Sequence, residues 1–156
     1  MALLQVAAIV AIALYLVPGG AHVLEMGPKL ALAPEQYLAV QGLYAGWNRT
    51  GFVLAAALIL ALWHAGATWG VRWARWLSLG AAVALAANLV VFLLATYPVN
   101  IATRNWTVMP QDFARARAQW EYSHAANAGL VLLSLVMMAG AVVASARARG
   151  RSPPVR

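Results

Sequence analysis

Cysteine is absent from the chain, which removes disulfides, thiolate metal sites and cysteine nucleophiles. Acidic residues are nearly absent too: Glu25, Glu35, Asp112 and Glu121 complete the set. Charged residues of both signs fill only 10% of the 156 positions, against about 25% in a soluble globular domain. The remainder is apolar, with 63% hydrophobic residues. A soluble fold of this size keeps too much exposed surface to hide that many apolar side chains, so lipid is the expected solvent and the bilayer the expected partner. The formal net charge of +7 sits between and after apolar blocks, as topology signals do. No basic patch lies on a polar domain, and nucleic acid is not expected as a partner.

Four blocks reach or approach the roughly 20 residues that cross a bilayer core. The expected fold is all-α: a single integral membrane four-helix bundle, antiparallel and up-down, spanning residues 1–146. Its helices are expected at about 2–26, 35–64, 73–97 and 110–146, ahead of a basic, disordered cytoplasmic tail over 147–156. The first block lacks a basic leader, and Pro18-Gly19-Gly20-Ala21-His22 is a poor cleavage site, so it reads as a retained helix. Pro18 is expected to kink or end it. Pro34-Glu35 and Pro110-Gln111-Asp112 suit first helical turns.

Four spans put both termini and the loop between helices two and three on one side. That side carries Arg72, Arg75, Arg147, Arg149, Arg151 and Arg156 in short segments beside the spans. The other carries Lys29, Arg49, Arg104, Arg115 and Arg117, three of them in one long loop. The positive-inside tendency then places the termini in the cytoplasm of a cell-membrane protein. Trp69, Trp73 and Trp76 mark the inner interface, and Tyr44, Trp47, Tyr97, Trp106 and Trp120 the outer one.

Most of the unusual polar residues map to that outer end. Ionisable residues at membrane depth are costly and mark function. His22-x-x-Glu25 and Glu121-x-x-His124 each place an imidazole and a carboxylate on one helix face. Together they form half of the constellation seen in carboxylate-bridged metal bundles, so His22, Glu25, Glu121 and His124 are the candidate ligands if a transition metal is bound. The plain alternative pairs Glu121 with Arg117 and Glu25 with Lys29, one turn away in each case. Trp120, His124 and Asn127 share one stripe of the last helix. Asn88 reads as an interhelical hydrogen-bonding residue, His64 as structural at the opposite end, and Gly42, Gly46 and Gly51 as packing positions. No helix carries a continuous polar stripe, which argues against a channel.

Tyr97-Pro98-Val99-Asn100, then Arg104-x-Trp106, then Trp120-Glu121-x-x-His124 leading into a final apolar helix resemble the anthrone oxygenase-like family of small four-helix membrane proteins. The likeness covers the chain from Tyr97 onward and, before that, only the architecture. It implies an enzyme that needs no cofactor and inserts oxygen into a flat, lipophilic phenolic or anthrone-like molecule. In that role His124 or Glu121 is the base, and Asn100 and Arg104 stabilise the enolate. Trp106 or Trp120 stacks on the ring, with Asn127 and Asn48 as further substrate contacts. His22 and Glu25 stand outside the pattern. Two other classes compete with the oxygenase: a non-catalytic membrane subunit or small-molecule binder, and a metal-dependent membrane oxidoreductase. The orientation is checked by a reporter fused after Arg156, which is expected in the cytoplasm; a reporter exposed on the far side overturns it.

Overall fold

The computed structural model describes residues 1–150. Helix α1 spans Ala2–Leu30, α2 Pro34–Gln41, α3 Thr50–Ala67, α4 Arg72–Val91, α5 Tyr97–Ala102 and α6 Phe113–Gly150, with no strand among the described residues. Four stretches are long and apolar enough to cross a membrane: Ala2–Leu30, Trp47–Ala67, Arg72–Ala102 and Phe113–Gly150. They form an up-down bundle in which α1 packs on α3 and α6, and α4 packs on α3 and α6.

The burial pattern is that of a protein dissolved in lipid. Leu3, Leu24, Phe52, Leu94 and Val136 face outward. The interior is built largely from small side chains, with Ala8, Ala57 and Ala81 beside Ile12, Leu54, Leu85, Val131 and Met138. Lipid supplies no hydrophobic drive between helices, so close approach of small residues does the packing. At Gly19 the neighbour is backbone as well as side chain: an added Cβ would lie 3.2 Å from Ala128 Cβ and 3.3 Å from its Cα.

The helix boundaries differ from expectation in several places. First, α1 continues through Pro18 and Pro28 to Leu30. Hydrocarbon offers a broken helix no hydrogen-bonding partners, and transmembrane helices tolerate proline for that reason. Second, the segment expected as one helix over 35–64 breaks between α2 and α3 into two 3₁₀ turns, with Gly46 at φ 86° between them. Glycine takes that left-handed conformation without a Cβ penalty.

Third, the third span does not stop at Tyr97-Pro98. A π turn over Phe92–Thr96 joins α4 to α5. Pro98 has no N–H to give to the Leu94 carbonyl, and such a widened turn absorbs the mismatch. The Ala95 carbonyl instead accepts from Gln119 Nε2 at 2.9 Å, and Thr96 Oγ1 lies 2.8 Å from Ser123 Oγ, so the irregular turn is tied to α6. Fourth, α6 begins at Phe113 rather than near Pro110, with Asp112 Oδ1 accepting from the Arg115 N–H at 3.1 Å. That is the N-cap use of an aspartate. At its other end α6 runs on through 147–150, where the disordered tail was expected to begin; residues 151–156 lie outside the described residues.

Gly19 and Gly20 separate packing from propensity. A Gly19→Val change meets Ala128 backbone and side chain and is expected to cost about 1–3 kcal/mol by overpacking. Gly20→Ala meets nothing within 4 Å and is expected to cost nothing. Reversible unfolding in mixed micelles checks both; equal stability of the two variants would contradict the close α1–α6 approach.

Candidate functional site: a histidine-lined cavity over a buried ion pair

A cavity of about 710 Å³ opens at the end of the bundle opposite the described N-terminus. That falls within the range of about 300–1,000 Å³ typical of small-molecule sites. Its wall is aromatic and polar toward the mouth, with His22, Tyr44, Trp47, Trp106, Trp120 and His124, and apolar deeper down, with Leu16, Leu54, Leu89 and Val131.

The two histidines come from different helices. His22 on α1 and His124 on α6 have ring centroids 4.2 Å apart, and Trp120 stands 4.2 Å from His124 and 4.9 Å from His22. His124 Nε2 is buried and has no hydrogen-bond partner among the described residues. Trp120 is anchored by its own indole, which donates to Asn100 Oδ1 at 2.8 Å.

Behind the histidines lies a buried ion pair. Lys29 and Glu121 are 3% and 1% exposed, and Lys29 Nζ donates to Glu121 Oε1 at 3.0 Å. Tyr37 OH donates to the same oxygen at 2.9 Å, and Lys29 Nζ also donates to His22 Nδ1 at 3.1 Å. Burial, and then the Glu121 carboxylate, push the Tyr37 hydroxyl far above the usual phenol range, so it stays a donor. Burial and the hydrogen bond to Glu25 raise Tyr44 in the same direction. Tyr44 OH donates to Glu25, and the Lys29 ammonium lies 5.1 Å and 5.3 Å from the Tyr44 and Trp120 ring centroids.

The neighbours expected for the acids are therefore replaced. Glu121 pairs with Lys29, not Arg117. Arg117 instead donates to the Leu32 carbonyl at 2.9 Å and lies over the Phe113 ring. Glu25 pairs with Tyr44 rather than Lys29. The four candidate ligands His22, Glu25, Glu121 and His124 do not converge, and no group of three or more possible ligands does so among the described residues. The Lys29 ammonium already takes the cation's place at Glu121, and the donor set does not fit a metal centre.

The other sequence candidates divide. His124, Asn100, Trp106, Trp120 and Asn127 line the cavity, and Asn48 stands exposed on its rim. Glu121 lies behind the wall. Arg104 is exposed and outside the lining. Its placement follows from three successive residues with left-handed backbone, Arg104, Asn105 and Trp106, at φ 48°, 56° and 62°. Such a conformation costs about 1–2 kcal/mol per non-glycine residue. It is held by the Asn105 N–H to the Asn100 carbonyl at 2.7 Å and by the Trp106 N–H to Thr103 Oγ1 at 3.0 Å. The turn swings Trp106 inward onto Tyr37 and Trp120, with ring centroids 4.9 Å and 5.9 Å away.

Below the histidines a second polar group forms part of the wall. Tyr15 OH donates to Asn88 Oδ1 at 2.9 Å, and Asn88 Nδ2 donates to the Asn127 carbonyl at 3.4 Å. Asn127 Oδ1 is buried without a hydrogen-bond partner among the described residues.

The residues that sequence reasoning missed are Lys29 and Tyr37. With α1 expected to end at about 26, Lys29 fell into a loop. Carried through Pro28, the helix sets His22 and Lys29 seven positions apart on one face, and that spacing is the signal. Comparison with protein families, curated proteins and solved structures finds no match for this chain.

Removing one partner of a buried pair leaves an uncompensated charge, typically at about 3–5 kcal/mol. Lys29→Met is expected to lose stability on that scale, whereas Arg117→Met, which breaks no ion pair, is expected to lose less than half as much. Unfolding in mixed micelles measures both, and a Lys29→Met protein as stable as wild type would contradict the pairing.

Proposed function

We propose that the protein is a membrane enzyme that deprotonates and oxygenates a flat, lipophilic phenolic or anthrone-like molecule, with His124 as the base. The observation that carries this reading is His124, which lines an aromatic cavity and whose Nε2 makes no hydrogen bond among the described residues. A general base needs a free lone pair within reach of the substrate proton. Glu121, the other candidate base, is committed to Lys29 and Tyr37 behind the wall, so it acts as support.

Trp120 and Trp106 offer flat faces for a ring system, at the distances of stacked and edge-on aromatic pairs. The Asn100 carboxamide oxygen is taken by the Trp120 indole, which leaves the amide N–H groups as its donors for a ligand. Arg104, exposed on the loop, has no part in the chemistry. At the floor, the Asn127 amide, next to Asn88 and Tyr15, suits a ligand hydroxyl, which can both donate and accept.

In this reaction His124 removes a proton from a methylene made acidic by the adjoining ring carbonyl, and the electron pair passes to the enolate oxygen. The carbanion reduces molecular oxygen and forms a C–O bond. Loss of the second proton with cleavage of the O–O bond leaves a carbonyl and water, so that CH₂ plus O₂ gives C=O plus H₂O. Both reactants partition into lipid, which suits a site at membrane depth. The enzyme sits in the cell membrane with cytoplasmic termini, and the cavity opens on the outer face.

Wild-type protein in nanodiscs should convert anthrone to anthraquinone with uptake of oxygen above the protein-free rate. His124→Ala should lower that rate about 10²–10⁴-fold, the usual share of a general base, with folding retained. Equal turnover by His124→Ala would remove the catalytic assignment. Saturable binding of anthrone by wild type without turnover would favour the non-catalytic binder.

A further inference from the structure

The resemblance assigns no part to His22, yet the geometry fixes which of its ring nitrogens carries the proton. Lys29 is held as an ammonium by Glu121 at 3.0 Å. An ammonium has donors and no lone pair. Its 3.1 Å contact with His22 Nδ1 therefore runs from Lys29 to the ring, and Nδ1 accepts. The ring proton then belongs on Nε2, since the tautomer is set by the hydrogen bond the other nitrogen makes. The contact at Nδ1 is the ring's only hydrogen bond among the described residues, and the ring forms part of the cavity wall.

We propose that His22 is the oxyanion-binding residue of the cavity, its Nε2–H donating to the phenolate or enolate oxygen of the bound aromatic. The assignment rests on the reading of the cavity as a site for a phenolic ring. It fills the role expected of Arg104, which lies outside the cavity. A cation directly behind the imidazole polarises its Nε2–H, and a fixed donor in a water-poor site stabilises a developing oxyanion without reorganising. The two neighbouring rings, tilted 32° to each other, then divide the work: His124 offers a lone pair, and His22, 4.2 Å away, offers a proton. Neighbouring titratable groups pushed into opposite roles by their surroundings are the usual mark of acid–base assignment. Lys29 is a positioning residue that acts through His22, and Glu121 holds Lys29.

His64 provides an internal reference. Ser78 Oγ donates to the Ala74 carbonyl at 2.8 Å, so its 2.8 Å contact with His64 Nδ1 is one it accepts. His64 Nε2 accepts from Gln5 Nε2 at 3.3 Å. His64 is thus the Nδ1–H tautomer, opposite to His22. The chain holds only 3 histidines, so ¹⁵N-histidine spectra of the full chain in nanodiscs resolve all of them, with His22→Gln and His124→Gln giving the assignment. The expected result is Nε2–H for His22, Nδ1–H for His64, and a shift of the His22 Nε2 resonance when 2-naphthol is added. His22→Leu should weaken 2-naphthol binding about tenfold or more, as for a lost hydrogen bond to a charged oxygen, and His22→Gln, which keeps an N–H donor, should weaken it less. The Nδ1–H tautomer at His22 in wild type, a measurement that needs no variant to fold, overturns the assignment; so does a folded His22→Leu protein that binds 2-naphthol as well as wild type. A wild type with the expected tautomers that binds no 2-naphthol overturns the phenolic reading of the cavity instead.

Discussion

A lysine ammonium and a glutamate carboxylate, both almost fully removed from solvent, join the first and last long helices of this bundle. Neither charge is tolerable there alone, because desolvating an isolated ion costs several kcal/mol even after relaxation. Each therefore dictates the position of the other. Glu121 brings in Tyr37 from α2 as a second donor, and Lys29 brings in His22 from its own helix. One pair thus fixes the spacing of α1 and α6, the seat of the α2 segment on top of them, and the orientation of the imidazole that faces the cavity.

Around that pair the backbone is irregular, and its departures share one result. The 3₁₀ turns between α2 and α3 carry Tyr44 and Trp47 to the His22 ring. The left-handed turn at 104–106 drives Trp106 inward, and the π turn before Pro98 is sealed by Gln119 and Ser123 of α6. Non-helical backbone at membrane depth is tolerated where it is buried in protein or lines a cavity. The opposite half is regular by contrast, a plain packing of alanines with Gln5, His64 and Ser78 closing a satisfied hydrogen-bond chain across three helices. Irregularity gathered at one end of the bundle is the pattern expected of a scaffold carrying a site.

The bundle was legible in the sequence because hydrophobic length is a collective property: Leu77 to Tyr97 and Ala125 to Ala146 contain no charge at all, and no local detail alters that. The location of the polar end followed from parity, since an even number of spans sends the end of α1 and the start of α6 to the same face. The pairings did not follow. Glu121 has Arg117 one turn away, and local spacing favours that partner. The real partner is on a helix ninety-two positions earlier, and it stays on the right face only because α1 ignores two prolines. Proline rules drawn from water end such a helix; lipid, offering nothing to the freed groups, does not. Arg104 was misplaced for a related reason. Sequence spacing sets it near the end of the third span, but its side chain is turned away by left-handed backbone at an arginine and a tryptophan, residues that carry no signal for it.

The mutual dependence of Lys29 and Glu121 is measured by a double-mutant cycle. Lys29→Met, Glu121→Gln and the double variant would be unfolded in mixed micelles under one condition. Strong coupling is expected: the double variant, with no buried charge left alone, should be more stable than the sum of the two single losses implies by about 1–3 kcal/mol. Losses that simply add would mean that the two charges are solvated independently, and would contradict the ion pair as the constraint on which the cavity rests.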